Sequence, residues 1–99
     1  MPAYLVAELA VTDPVKLQEE YLVNVRPLVA KHGGRLLTKP GSHTMPEGGH
    51  WKPDHMVIIE FPDMEALNAL NNSPEYQPLK AFRKQCTSDQ SMIFFLEGA

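Results

Sequence analysis

The chain has 99 residues, the size of one small domain, and its nine basic and twelve acidic side chains give a net charge of −3 with the histidines neutral. This acidic balance, without a cluster of lysine or arginine, argues against a nucleic-acid partner, because such binding depends on neutralising phosphates. Unbroken apolar runs such as residues 92–96 are far shorter than the ~20 residues needed to cross a bilayer, so we expect no membrane partner.

The cysteine content indicates a compartment. Cys86 is the only cysteine and has no partner for an internal disulfide, and the N-terminus lacks the charged and apolar regions of a secretion signal. We therefore expect a cytoplasmic protein, because the cytoplasm keeps thiols reduced. No repeat, low-complexity tract or linker divides the chain, so we expect residues 1–99 to form a single domain.

The first elements are a strand and a helix. Residues 3–11 predict a strand that is apolar on both faces apart from Glu8. Thr12-Asp13-Pro14 predicts a helix start, with a capping side chain followed by proline at the first helical position. Apolar side chains then recur at helical spacing at Leu17, Tyr21, Val25 and Leu28. Pro27 is expected to kink this helix near its end, because it has no N–H to donate.

The middle of the chain predicts two strands separated by a long loop. Gly33-Gly34 ends the helix, and residues 35–39 predict a short strand at a sheet edge. Residues 41–54 predict a loop, within which residues 42–45 could extend that edge strand. Residues 55–61 carry the clearest strand signal in the chain, because they are rich in β-branched and aromatic side chains.

The last third of the chain predicts two helical segments and a final strand. Asp63 caps a helix with an apolar side, and Ser73 caps the segment after it. Pro78 is expected to separate the first turn of that segment from a helix over residues 79–85. Residues 91–96 predict the last strand.

The element order β-α-β-β-α-β is typical of the ferredoxin-like α+β fold, in which two helices cover one face of a four-stranded antiparallel sheet. The first, third and fourth strands are nevertheless apolar on both faces. A second copy of the chain is the simplest cover for the face without helices. We therefore expect a homodimer that pairs two sheets across a two-fold axis.

Short segments along the whole chain resemble one known family. They are Met1-Pro2-Ala3-Tyr4, Val11-Thr12-Asp13-Pro14 with Tyr21, Lys31-His32-Gly33-Gly34-Arg35, Pro46-Glu47-Gly48 with Trp51, Ile58-Ile59-Glu60-Phe61-Pro62, Glu97-Gly98 and, most specifically, Ser73-Pro74-Glu75-Tyr76-Gln77-Pro78-Leu79-Lys80 with Arg83. In register, they resemble the family called domain of unknown function 1330, within the dimeric α+β barrel superfamily. The resemblance implies paired sheets. It implies no single activity, because the wider superfamily includes cofactor-free monooxygenases, lactone isomerases and haem-handling proteins.

One departure from the family pattern concerns the ligand cleft. Leu70 and Asn71 stand where similar sequences carry two aromatic residues before the Ser-Pro-Glu-Tyr phrase. If the family uses that aromatic pair in its cleft, the cleft of this protein is wider or differently lined.

Two carboxylates interrupt otherwise apolar strands. Glu8 and Glu60 lie on strands that are neighbours in the expected sheet, and on one face they would form an acid–base pair with raised pKa values. The alternative is that each pairs with a basic group, such as Arg35 or Arg83, since buried carboxylates are usually paired.

Three histidines cluster around the loop. His43, His50 and His55 lie close together in the sequence, but no metal motif of fixed spacing is present, and we expect no metal and no cofactor. His43 would point towards a cleft if the edge strand extended, and it is a candidate general base near neutral pH. Trp51 is either a lid over a pocket or a dimer contact.

The remaining candidates would bind a substrate. A guanidinium at Arg35 or Arg83 suits bidentate binding of a carboxylate, or else an internal ion pair. Tyr21 and Tyr76 either pack in the core or place their hydroxyls in a pocket between helix and sheet.

We therefore expect a small protein that binds an anionic or carbonyl-bearing molecule, with isomerase-like or cofactor-free oxygenase-like proton transfer. The expected catalytic residues are His43 and Glu60, and the expected substrate-binding residues are Tyr21, Arg35, Tyr76 and Arg83. The alternative is a non-catalytic dimer that binds a metabolite or a partner.

Overall fold

The computed structural model describes residues 1–49, 52 and 54–99. Their elements follow the order expected from the sequence. They are β1 (Ala3–Leu9), α1 (Pro14–Lys16), a π-helix (Leu17–Leu22), α2 (Val23–Lys31), β2 (Arg35–Leu36), β3 (His55–Phe61), α3 (Met64–Asn72), α4 (Tyr76–Cys86) and β4 (Met92–Glu97). The first three helical pieces follow one another without a gap and form one long helix over residues 14–31.

The strands form one antiparallel sheet in the order β2-β3-β1-β4. The helices cover one face of it, where the alternate residues Ala3, Ala7 and Leu9 of β1 are buried. Phe61, Leu67 and Cys86 are completely buried and mark the centre of the core between sheet and helices. This is the ferredoxin-like α+β fold that the element order predicts.

Local side-chain bonds explain where the helices begin. Asp13 accepts a hydrogen bond from the backbone N–H of Lys16 at 3.1 Å, and Asp63 accepts one from that of Ala66 at 2.8 Å. The hydroxyl of Ser73 accepts one from the N–H of Tyr76 at 3.2 Å. The three expected caps are therefore present, each satisfying an N–H that the helix itself leaves free.

The strand limits differ from expectation at three places. The first strand ends at Leu9 rather than at residue 11, and the last spans Met92–Glu97 rather than residues 91–96. The second strand is only Arg35–Leu36 instead of residues 35–39. Backbone bonding to β3 extends one residue beyond it, to Leu37, whose N–H donates to the carbonyl of Ile58 at 2.9 Å. At the next residue the side-chain hydroxyl of Thr38, rather than a backbone carbonyl, accepts from the N–H of Ile58 at 3.0 Å.

The expected extension of the edge strand over residues 42–45 is wrong, because these residues are exposed and adopt no strand. The expected break at Pro78 is also wrong. Pro78 lies in the first turn of α4, which runs unbroken over Tyr76–Cys86. A proline there interrupts nothing, because the first turn of a helix has no internal acceptor for its N–H groups.

The long helix over residues 14–31 contains an irregularity that the apolar pattern of the sequence does not show. Residues Leu17–Leu22 form a π-helix, and the N–H of Val23 reaches back five residues to the carbonyl of Gln18. Pro27 lies after this segment, inside α2. The helix ends as expected at the glycine pair, where Gly33 adopts a positive φ of 81°.

The face of the sheet away from the helices is apolar and open in the single chain. Register places Val6 of β1 between Ile58 of β3 and Phe94 of β4 on this outer face. Phe94 is 44% exposed and Leu96 is 52% exposed. The apolar character of both faces, inferred from the sequence, is thus present in the folded chain.

Candidate functional site

A cavity of about 80 Å³ lies between the sheet and the helices. One water molecule needs only about 10–15 Å³ of such space, so the cavity has room for a small organic molecule. Its walls are mainly aliphatic side chains from β1, β3, β4 and the helices. Five polar side chains also reach it: Tyr21, His55, Asn71, Tyr76 and Arg83.

The two tyrosines form a buried pair at the cavity wall. Their hydroxyl oxygens lie 2.9 Å apart and share one hydrogen bond. Burial is the main reason why the pKa of Tyr21 is raised well above its usual value, and the neighbouring Tyr76 raises it further. Tyr21 therefore stays protonated at physiological pH. It can offer an O–H group to a ligand oxygen but cannot act as a phenolate base.

The backbone positions this pair from two sides. Tyr21 belongs to the π-helix, and both Tyr21 and its neighbour Leu22 line the cavity. Tyr76 opens α4, and its backbone N–H donates to the hydroxyl of Ser73, three residues earlier. Single π-helical turns inside α-helices are frequent at functional sites, and here the turn carries a cavity side chain.

Arg83 is a buried cation without a buried anion. Its side chain reaches the cavity from the last turn of α4, and the residue is only 8% exposed. Its hydrogen bond to a side chain is a long one, 3.4 Å from Nη1 to the hydroxyl of Tyr76. The ion pairs in the described part of the chain are Lys31–Glu75 and Arg35–Glu60, so no carboxylate lies at salt-bridge distance from Arg83.

Burying Arg83 without a carboxylate nearby costs free energy of folding. Removing a charged group from water costs several kcal/mol unless an opposite charge or good hydrogen bonds compensate. The negative end of α4 returns only about 0.3–1 kcal/mol of this cost to Arg83. The polar end of the cavity is therefore electrostatically suited to an anionic group.

Two further cavity residues are His55, which the sequence analysis named only as one of three clustered histidines, and Asn71, which it named only as a departure from the family pattern. His55 opens β3 on the same face as Val57 and Ile59, and the alternation of the strand would have shown this. Burial lowers the pKa of His55, and the positive charge of Arg26 lowers it further. The imidazole is therefore neutral at physiological pH. Asn71 lines the cavity together with Leu70, at the positions that depart from the family's aromatic pair.

The other site residues expected from the sequence lie elsewhere. Arg35 and Glu60 form an ion pair of 3.0 Å on the outer face of the sheet, which was the alternative left open for Glu60. Glu8 is on the same face, but it pairs in register with Met56, four residues from Glu60 and so about 13 Å away along β3. The structure does not bring the two carboxylates together.

The loop candidates are also separate from the cavity. His43 is exposed and does not line it. His50 and Trp51 lie outside the described residues, and with them the lid and dimer-contact hypotheses for Trp51. Within the described ranges, no group of three metal-binding side chains is found, and no helix is both long and apolar enough to cross a bilayer. Cys86 is a free thiol in the core, and burial raises its pKa, which makes it unreactive.

The fold and cavity define a small ferredoxin-like α+β protein. The family model described as domain of unknown function (DUF1330) matches residues 2–98, and the chain belongs to this family. No curated protein matches the chain in sequence.

Solved structures of the same fold come from several bacteria. A protein of unknown function from Rhodopseudomonas palustris is 18% identical with a TM-score of 0.80, covering 99% of this chain and 82% of that one. A dimeric ferredoxin-like protein of unknown function from Jannaschia sp. CCS1 is 16% identical with a TM-score of 0.74, covering 99% and 100%. SnoaB, a cofactor-independent oxygenase from Streptomyces nogalater, is 13% identical with a TM-score of 0.68, covering 99% and 93%. At these identities the similarity establishes the fold alone.

Proposed function

We propose that the protein binds a small anionic or carbonyl-bearing molecule in the cavity between its sheet and helices. The observation that carries this proposal is Arg83, a guanidinium that is 8% exposed, has no carboxylate partner among the described residues and reaches a mainly aliphatic cavity. A carboxylate or enolate bound there would supply the missing negative charge, and its apolar part would contact the aliphatic walls.

The tyrosine pair would fix the orientation of a ligand in this site. The hydroxyl of Tyr21 stays protonated, and the bonded pair of tyrosine hydroxyls lies beside Arg83. One of their two protons is used in the bond between them, so the pair offers one O–H group to a ligand oxygen, next to the guanidinium. Fixed donors in a site of low dielectric stabilise negative charge that develops on an oxygen. Proton-transfer chemistry, either isomerase-like or of the cofactor-free oxygenase kind, is therefore compatible with the site.

The alternative is non-catalytic binding of the same class of molecule. Arg83 and the tyrosines would hold a carboxylate equally well in a metabolite sensor. A base within the cavity is the feature that separates the two functions, because a sensor does not need one.

The binding proposal is tested with butyrate and with 1-butanol, which has the same carbon chain but no charge. We expect butyrate to shift the backbone amide resonances of Tyr76 and Arg83 in ¹H–¹⁵N spectra, and 1-butanol to shift them far less. Arg83→Met should abolish the shifts caused by butyrate. Arg35→Met, which removes the other candidate arginine on the outer face, should preserve them.

The opposite pattern would exclude the cavity as the binding site. If Arg35→Met abolishes binding and Arg83→Met does not, the ligand binds at the outer face of the sheet. If neither butyrate nor 1-butanol shifts any cavity resonance, the cavity is a packing defect and not a binding site.

We also propose that the protein is a cytoplasmic homodimer joined through the outer face of the sheet. The exposed apolar side chains of β4, together with Val6 and Ile58, support this proposal, because an uncovered apolar face of this kind promotes association. The free, buried thiol of Cys86 is consistent with a reducing compartment.

Sedimentation equilibrium should then give a mass near twice 11.1 kDa. Ile58→Lys should yield monomers or aggregates. Ala81→Lys, which adds the same charge at an exposed position of α4, should leave the dimer intact. A wild-type protein that stays monomeric and soluble at high concentration would contradict the proposal.

A further inference from the structure

The structure places His55 in the wall between the cavity and the protein surface. Besides the cavity, it lines two neighbouring depressions of about 340 and 240 Å³, and Arg26 lines both of these as well. The residue is half-buried. Its ring thus belongs to the inner cavity on one side and to solvent-accessible space on the other, which is the position of a group that exchanges protons with both.

His55 and Arg83 lie at the same end of the sheet. His55 is directly opposite Leu9 in the β1–β3 register. Leu9, together with Ile93 of β4, also lines a second pocket beside Arg83. The imidazole therefore approaches from the β3 side and the guanidinium from the β4 side. Two strand spacings, about 10 Å, separate these sides, so a ligand held by Arg83 would face His55 across the cavity.

The charged groups around His55 favour its neutral form. Arg26 faces it from α2, and Arg83 lies across the cavity on α4. Asp54, which also lines an outer depression, is engaged by the backbone N–H of Val11 at 3.0 Å. The cavity wall also contains Tyr21, which is uncharged, and Tyr76, whose hydroxyl is bonded to that of Tyr21. A neutral imidazole has a free lone pair, and no described residue hydrogen-bonds to the ring, so it is able to accept a proton.

We propose that His55 is the catalytic base of the cavity and removes a proton from the carbon next to the carbonyl group of a bound ligand. The C–H bond breaks, the proton moves to an imidazole nitrogen of His55, and the electron pair shifts onto the carbonyl oxygen to give an enolate. The hydroxyls of Tyr21 and Tyr76 and the guanidinium of Arg83 hold the resulting negative charge. Return of a proton from His55 to carbon completes an exchange or an isomerisation, and no further reactant is consumed.

This inference rests on the proposed function and extends it from binding to catalysis. The substrate class that it names is a short carboxylic acid with a carbonyl group and an adjacent C–H bond. Arg83 would orient the acid, so that the C–H bond faces the opposite wall of the cavity, where His55 lies.

The test uses 2-oxobutyrate in deuterium oxide, with ¹H NMR following the loss of the signal from its C3 hydrogens. We expect the wild-type protein to accelerate this exchange over buffer. His55→Gln should lower the accelerated rate by about 10²-fold or more, the usual contribution of a general base, while still binding 2-oxobutyrate. His32→Gln is the matched control, because His32 lies at the end of α2, does not line this cavity and bonds to the carbonyl of Leu28. It should exchange like the wild type.

Binding is measured separately, through the amide resonances of Tyr76 and Arg83. If 2-oxobutyrate binds but exchanges only at the rate of buffer, or if His55→Gln exchanges as fast as wild type, His55 is not the base and the binding function still stands. If 2-oxobutyrate does not bind, the proposed function fails and this inference fails with it. His55→Asn replaces His55→Gln if the latter does not fold.

Discussion

Replacing Arg83 with methionine is expected to stabilise the ligand-free protein while it abolishes anion binding. The residue is 8% exposed, and its long hydrogen bond to Tyr76 measures 3.4 Å. Methionine has a similar length, fills irregular apolar space and carries no charge that must be desolvated. The substitution therefore removes an electrostatic cost and leaves the packing of the cavity wall largely intact.

The magnitude follows from three contributions. A hydrogen bond of 3.4 Å is at the long limit, so its loss costs about 1 kcal/mol at most. The interaction with the negative end of α4 contributes about 0.3–1 kcal/mol, which is also lost. Relief from burying an uncompensated charge returns several kcal/mol. The expected net change is a gain of about 1–2 kcal/mol in the free energy of unfolding.

Urea denaturation followed by circular dichroism measures this gain, at equal protein concentrations because the protein is expected to dimerise. A thermal scan should show a rise of roughly 4–8 °C for each kcal/mol. Arg35→Met is the comparison. Its ion pair with Glu60 is exposed on the arginine side, so we expect a change of about 1 kcal/mol at most, in the destabilising direction.

A loss of more than about 1 kcal/mol in Arg83→Met would refute the reasoning. It would mean that the folded protein already satisfies the guanidinium, and that the site has no need of an anion. Butyrate supplies a second check, because it should raise the melting temperature of the wild type and leave that of Arg83→Met unchanged.

Three further predictions concern the same cavity and its supports. Tyr76→Phe removes the hydroxyl between Tyr21 and Arg83 and should cost about 1–3 kcal/mol in urea denaturation, whereas an equal stability would show that water replaces it. The pKa of His55 is lowered in the folded state, so the stability that this residue contributes is present above about pH 6.5 and is lost as the pH falls through its folded pKa. Stability curves between pH 4 and 8 should show this loss in the wild type and a smaller one in His55→Gln. Gly34→Ala would place a Cβ 2.6 Å from Cγ1 of Val29 and 2.8 Å from the ring of Phe61, and should destabilise by about 1–3 kcal/mol. An unchanged midpoint would show that both side chains can shift.

Local chemistry explains most of what the sequence predicts correctly. Asp13, Asp63 and Ser73 cap helices through bonds that span three residues, so the neighbouring sequence contains the whole signal. The alternation along the strands is equally local, and the open outer face follows from it. The limits of the edge strand were less predictable, because Thr38 competes with the backbone for the N–H of Ile58 across the sheet.

The site depended on information that single segments do not contain. Tyr21, Tyr76 and Arg83 were selected as possible ligand contacts, but only the folded chain shows that they lie together and that no carboxylate among the described residues joins them. The sequence points to His43 as a base only through an extended edge strand that would carry it to a cleft, and it gives no comparable reason to choose His55. His55 is placed in the cavity wall by the register of β3.

Because of the π-helix at Leu17–Leu22, the cavity wall can change in evolution while the fold stays the same. Such a segment holds one residue more than an α-helix of the same extent, and one residue corresponds to about 100° of helical rotation. Deleting a single codon within it would restore a regular helix and turn Tyr21 away from Tyr76, while the sheet and its outer face stayed as they are. Insertions and deletions at this turn would therefore change the lining of the cavity in one step, without rebuilding the scaffold.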